Sequence, residues 1–295
     1  MNATFPPKLA KHLAKSVRAS RRCYRTRLER CQEKFSEKAV HKLRTETRRI
    51  LALLSVIEAL HFDGTLKKLR KTFKKRLDCF DDLRDTHVQL VFLKPLWSKF
   101  PEACDLKKHL CKCEKQLVAK LSREIQTAKS GKLNRGLKEI EKALRQCAKK
   151  PPSGRSNAVA LTLLGGAFRR VLALRRHIQR DQPKTIHRMR VAFKRFRYTA
   201  ELLQPFLPRV TPSRLARMKD FQAAAGDIQD VAVLLARLEK DINNGDLEPA
   251  CVRTLRTELL RHEHNSINAF MERIDELRDF EPEVPIALKP EPASQ

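Results

Sequence analysis

Glycine is scarce in this chain, with eight in 295 residues. Hairpins and tight turns lean on glycine, and strands on β-branched alternation. Glycine is in short supply and that alternation is absent, which argues against a β-rich fold. Aromatic residues make up only 6%, with one Trp and two Tyr. Most Phe fall at apolar helical positions, which leaves few rings on which bases could stack. That argues against base recognition but not against backbone binding. The eight cysteines (23, 31, 79, 104, 111, 113, 147 and 251) form no CxxC pair, and Cys111-Lys112-Cys113 is too tight for a zinc hairpin. They read as ordinary thiols of a reducing compartment.

Other signatures are also missing. No apolar run approaches the roughly 20 residues that a membrane span needs. The N-terminal MNATFPPKLAKHLAKSVRAS lacks a signal-peptide apolar core. It is basic and amphipathic, so a transit peptide remains an alternative. There is no GxxxxGK[ST], GxGxxG or GxSxG. His262-Glu263-His264 is not HExxH, and the paired ExxH motifs of di-iron bundles are absent. No catalytic residue, cofactor or metal is expected.

Positive charge is what the chain has in excess. Lys and Arg number 63 against 34 acids, a formal net charge of +29. Such a field repels itself in the folded state and calls for a polyanionic partner. Nucleic acid, an anionic membrane or a free phosphate polymer would each serve.

Prolines mark the ends of segments with helical period, predicting helices near 8–33, 37–60, 65–94, 102–128, 133–148, 157–180, 184–204, 212–242 and 247–279. KKPPSGRSN at 149–157 reads as a linker, and the proline-rich tail from 281 as disordered. HKLRTETRR at 41 answers HRMRVAFKR at 187, and FDDLRDTHVQL at 80 answers AGDIQDVAVLL at 225. Both pairs recur at an offset of roughly 145 residues, in the same order. The expected fold is all-α: two antiparallel four-helix bundles, 1–148 and 158–280, related by a pseudo-twofold axis.

On helices turning about 100° per residue, His41, Arg44 and Arg48 gather beside the seam of Val40, Leu43, Thr47, Ile50, Leu54 and Ile57. In the second copy His187, Arg190, Lys194 and Arg197 gather beside Ile186, Met189, Phe193, Phe196 and Leu203. One such row alone reads as a solvated face. Two rows on the same side of equivalent helices would become walls of one cationic channel. Arg18, Arg22 and Arg25 on the first helix, Lys67, Lys71 and Lys74 on the third, and Arg214, Arg217 and Lys219 near its counterpart could extend the wall. The two histidines could be satisfied at helix starts, donate to phosphate, or ligate metal. Asp82, Asp85, Asp227 and Asp230 read as structural partners of nearby Arg; metal binding or acid–base work is the alternative.

HKLRTETRRILALL, HRMRVAFKRFRYTAELL, LRDTHVQL and FQAAAGDIQDVAVLL together resemble the CHAD family, the "conserved histidine α-helical domain". The resemblance spans about residues 8–279. It implies two four-helix bundles with pseudo-twofold symmetry and binding of inorganic polyphosphate in a basic central cavity, without catalysis. It carries the contact role to His41, Arg44, Arg48, Arg49, His187, Arg190, Lys194, Arg195 and Arg197. The expectation is a cytoplasmic, non-enzymatic module recruited to polyphosphate stores, with RNA or DNA backbone binding as the alternative and no membrane partner.

Overall fold

A computed structural model describes residues 6–60, 66–126, 131–150 and 155–282. The tail from 283 and residues 151–154 of the expected linker lie outside the described residues. The described chain is all-α, without strands: α1 (Pro7–Glu33), α2 (Glu37–Ala59), α3 (Leu66–Asp78), α4 (Asp81–Leu93), α5 (Cys104–Gln126), α6 (Gly131–Cys147), α7 (Ser156–Arg175), α8 (Pro183–Leu203), α9 (Pro212–Asn243) and α10 (Pro249–Glu272).

The helix ends follow local chemistry. Pro7, Pro183, Pro212 and Pro249 open helices where a missing N–H costs nothing. Ser36 Oγ accepts from the Ala39 amide at 3.3 Å, and Thr211 Oγ from the Arg214 amide at 3.2 Å. The expected helix 65–94 is broken in two at Cys79-Phe80. Phe80 is buried and stacks on Phe35 with ring centroids 6.4 Å apart, which takes the chain off helical register. At the corresponding place in the second half stand Ala224 and Ala225, and α9 runs through unbroken. The expected last helix also ends early, giving way after Glu272 to a 3₁₀ segment, Ile274–Phe280.

Helix α1 packs on α2 and α6, α7 on α8, α8 on α9, α9 on α10, and α4 on α5. Between the halves several counterparts meet, α2 with α8, α4 with α9 and α1 with α7, and α10 also packs on the 3₁₀ turn Pro101–Ala103. The apolar interior forms two clusters, and each takes side chains from both halves. Phe193, Phe221, Phe270 and Phe280 interlock in the larger one, with centroids 4.9–5.8 Å apart. These four phenylalanines are thus core, and among the described residues the exposed large apolar ones are Val91, Val191 and Leu260. One expectation needs correcting: by length and composition α7 passes as a membrane span. It packs on α8 and buries Leu164, Phe168 and Val171, although only 28% of that span is buried.

Candidate functional site

The α2–α8 contact positions the site. Arg49 Nη2 lies 3.8 Å from Glu201 Oε2, and Arg195 Nη2 donates to Ser55 Oγ at 2.9 Å. The offsets 195 − 49 and 201 − 55 both equal 146, the same as 187 − 41 between the two histidines. Each helix therefore touches the other with the positions the other uses in return, which is the pattern a twofold produces.

The same offset makes Lys194 the counterpart of Arg48, and Arg190 that of Arg44. These side chains converge. Burial, followed by the guanidiniums of Arg190, Arg48 and Arg197, drives the Lys194 ammonium down to about 6, against weak support from Asp230. Burial and Arg44 bring Arg48 down to about 10. Arg190 is lowered by burial, opposed by Asp230 and Asp227, and its Nε is buried without a partner. Both histidines border this cluster. His187 is pushed below the usual range by burial, Arg190 and Lys194, although Gln229 bonds its ring, and its Nδ1 is buried and unpartnered. His41 has an exposed ring, yet partial desolvation by the surrounding walls lowers it, with Arg84, Arg48 and Lys194 adding to the effect.

Two expected contact residues are occupied. Arg44 is 4% exposed, pairs with Asp81 at 2.5 Å and donates to the Leu77 carbonyl at 2.8 Å. That carbonyl is available because the helix breaks just beyond it. Arg197 is 8% exposed, donates to Gln222 at 2.9 Å, pairs with Glu201 and lies 4.5 Å over the Tyr198 ring. Arg44 and Arg197 hold the wall, while Arg48, Arg190 and Lys194 have no ion pair among the described residues.

A single position separates Arg190 from Arg44. Asp81, the partner of Arg44, corresponds to Gly226 at an offset of 145 (226 − 81). A Cβ on Gly226 would sit 3.0 Å from Arg190 Nη2. The second half thus has a glycine under the guanidinium where the first half has a carboxylate.

The acids differ from expectation in one respect. Among the described acids of the second repeated motif, the one with a direct ion pair to the row is Asp81, not Asp82, Asp85, Asp227 or Asp230. Asp85 is pushed up to about 6 by burial, Asp81 and Asp230, with Arg44 opposing. Asp230 is raised by burial and by Asp227, against Arg190. Asp85 and Asp230 are counterparts that face each other across the α4–α9 contact.

The outer residues do not all join the row. Arg18, Arg22 and Arg25 are exposed on α1; Arg25 lies 3.8 Å from Glu29, and Arg22 lines a separate recess beside α2. Lys67, Lys71 and Lys74 are exposed on α3, where the residue that feels Arg195 is Arg70. Arg214 donates to the Glu281 carbonyl at 2.8 Å and Arg217 pairs with Asp279, so both clasp the C-terminal 3₁₀ segment; Lys219 is exposed. Sequence reasoning missed Arg84, whose charge lowers His41, and Gln229, which bonds the His187 ring. They are 145 apart (229 − 84), inside LRD and IQD, so aligning the second repeat would have found them.

One group away from this centre has metal-like donors: His109, Asp241 and Asp246. Arg237 already fills it, reaching both Asp241 oxygens at 2.7 and 2.6 Å and approaching His109 Nε2 at 3.1 Å.

The comparisons agree with this architecture. A family model described as "CHAD domain" matches residues 10–239. The crystal structure of the CHAD domain from the plant Ricinus communis superposes with a TM-score of 0.66 at 19% identity, covering 92% of this chain and 93% of that one. PptA from Streptomyces chartreusis gives 0.67 at 14% identity, covering 92% and 99%. At these identities the two structures speak for the fold alone. No curated protein matches the sequence. With its helical fold, its doubled histidine-led basic helix and a family match over most of its length, the chain belongs to the CHAD domain family.

Proposed function

We propose that this protein binds inorganic polyphosphate, without chemical turnover, in the basic groove between α2 and α8. The carrying observation is Lys194, buried and then crowded by Arg190, Arg48 and Arg197, which together hold its ammonium at about 6. Crowded cations with buried, unpartnered donors destabilise the free protein, and a bound polyanion removes that cost. Arg48 and Arg190 offer planar forks for non-bridging oxygens, Lys194 a point charge, and His41 and His187 donors at the two ends of the cluster. The ligand best matched to such a groove has dense negative charge and no bases, because among the described residues no aromatic ring is among the exposed large apolar side chains. In a cell this binding would recruit the protein to cytoplasmic polyphosphate stores.

Competition tests the ligand. Long-chain polyphosphate should displace tRNA readily at equal phosphate concentration, and tRNA should fail to displace polyphosphate. Displacement in the opposite order would make this a nucleic-acid backbone binder. Turnover is tested by incubation with polyphosphate and Mg²⁺ or Mn²⁺. Steady phosphate release that Asp85→Ala or Asp230→Ala abolishes would replace the binding reading with a hydrolase.

A further inference from the structure

A concave cationic surface lies away from the α2–α8 cluster. Between the C-terminal half of α1 and the first turns of α2 is a recess of about 670 Å³. Arg22, Arg27, Arg30, Lys34, Lys38 and Lys42 line it, together with Thr26 and Ser36, and no acid does. Of the nearby carboxylates, Glu29 is engaged with Arg25, Glu37 with Arg84, and Glu46 with Arg27 at 2.7 Å, while Glu33 is exposed at the end of α1 and does not line the recess. Only Arg27 of the six cations is thereby neutralised; Arg22, Arg30, Lys34, Lys38 and Lys42 have no ion pair among the described residues.

This is not the groove. On α2, Lys42 lies about 120° round the helix from Arg48, and Lys38 falls on the flank between them. His41, at the edge of the groove, sits one residue from Lys42 and one turn from Lys38. A phosphate chain leaving the groove past His41 would therefore meet Lys38 and Lys42 first. A concave wall with five unneutralised cations concentrates positive potential beyond what scattered surface lysines produce.

We infer that the α1–α2 recess is a second polyanion site, taking a run of closely spaced phosphates. That run is either the overhanging part of a polymer held in the groove or a free compact oligophosphate. The ligand class rests on the reading of the groove; the site itself rests on the recess.

Calorimetric titration with tripolyphosphate tests it on three variants of the full chain. The recess variant is Arg22→Ala, Arg30→Ala, Lys38→Ala and Lys42→Ala, all exposed helical positions. The groove variant is Arg48→Ala, Arg190→Ala and Lys194→Ala. The control removes the exposed Lys107, Lys112, Lys115 and Lys120 of α5. The expected stoichiometry is two for wild type and control, and one for each of the other variants. A recess variant that still takes two, or a control that loses as much as it does, overturns the inference. A groove variant that keeps two while the recess variant keeps one leaves the recess standing and refutes the groove. Long-chain polyphosphate separates the sources. A tenfold or greater loss in the recess variant, confined to chains too long for the groove, identifies the overhang. Equal loss at every length identifies a free oligophosphate.

Discussion

Lys194 makes polyphosphate binding a proton-coupled event. In the free protein its ammonium titrates at about 6, against an ordinary 10.5. At pH 8 only about one molecule in a hundred carries that charge. A phosphate chain beside it restores the charge, so binding at pH 8 should take up close to one proton. Affinity should be nearly flat below pH 6 and fall about tenfold per pH unit above it, roughly 50-fold between pH 6 and pH 8. Other groups facing the cluster titrate lower or stay charged: Arg48, at about 10, remains cationic, and His41 and His187 are lowered. Asp85, at about 6, adds uptake near that pH and is removed with Asp85→Asn. The assay is calorimetry at constant ionic strength in two buffers of different ionisation enthalpy, using long chains whose interior phosphates do not titrate. Lys194→Arg should abolish the slope and keep tight binding at pH 8; Lys194→Met should abolish it at lower affinity. Invariant affinity from pH 6 to 8.5 with no proton uptake would refute the reasoning. The same lysine sets a stability slope. Its folded value lies below its unfolded one, so the unfolded state holds more protons between about pH 6 and pH 10. Ligand-free melting temperature should therefore rise from pH 6.5 to 8.5, and bound polyphosphate should flatten that rise.

Three further expectations concern the wall. Gly226→Asp should give Arg190 the carboxylate that Arg44 already has and weaken binding by about tenfold or more in the same titration, the worth of one charged hydrogen bond. Gly226→Ala should weaken it less, since the contact at 3.0 Å is with the far end of a flexible side chain. Arg44→Ala should lower stability by about 2 kcal/mol in urea unfolding, because it strands Asp81 and the Leu77 carbonyl; an unchanged midpoint would remove its structural role. Affinity for polyphosphate should fall log-linearly with salt, and the slope should shrink when Arg48 and Lys194 are both replaced by Ala.

Sequence determined the elements here. Proline positions, apolar period and scarce glycine fix an all-α chain, because each acts within a few residues of itself. The duplicated HxxR motif identified the two helices that carry the cations, and the family with them. What the pattern could not reveal is how charges are shared out across 146 residues (194 − 48). His41, Arg44 and Arg48 look alike on a helical wheel, yet Arg44 is bound to Asp81 and Leu77 while Arg48 meets Lys194. The break at Phe80 depends on Phe35 waiting 45 residues upstream (80 − 35), and the small Ala224-Ala225 pair spares α9 the same fate. Arg214 and Arg217, basic and well spaced, were drawn to the C-terminal segment instead of the groove. Local chemistry is written in neighbouring residues, but whether a cation is neutralised, buried or crowded depends on side chains that only packing brings near it.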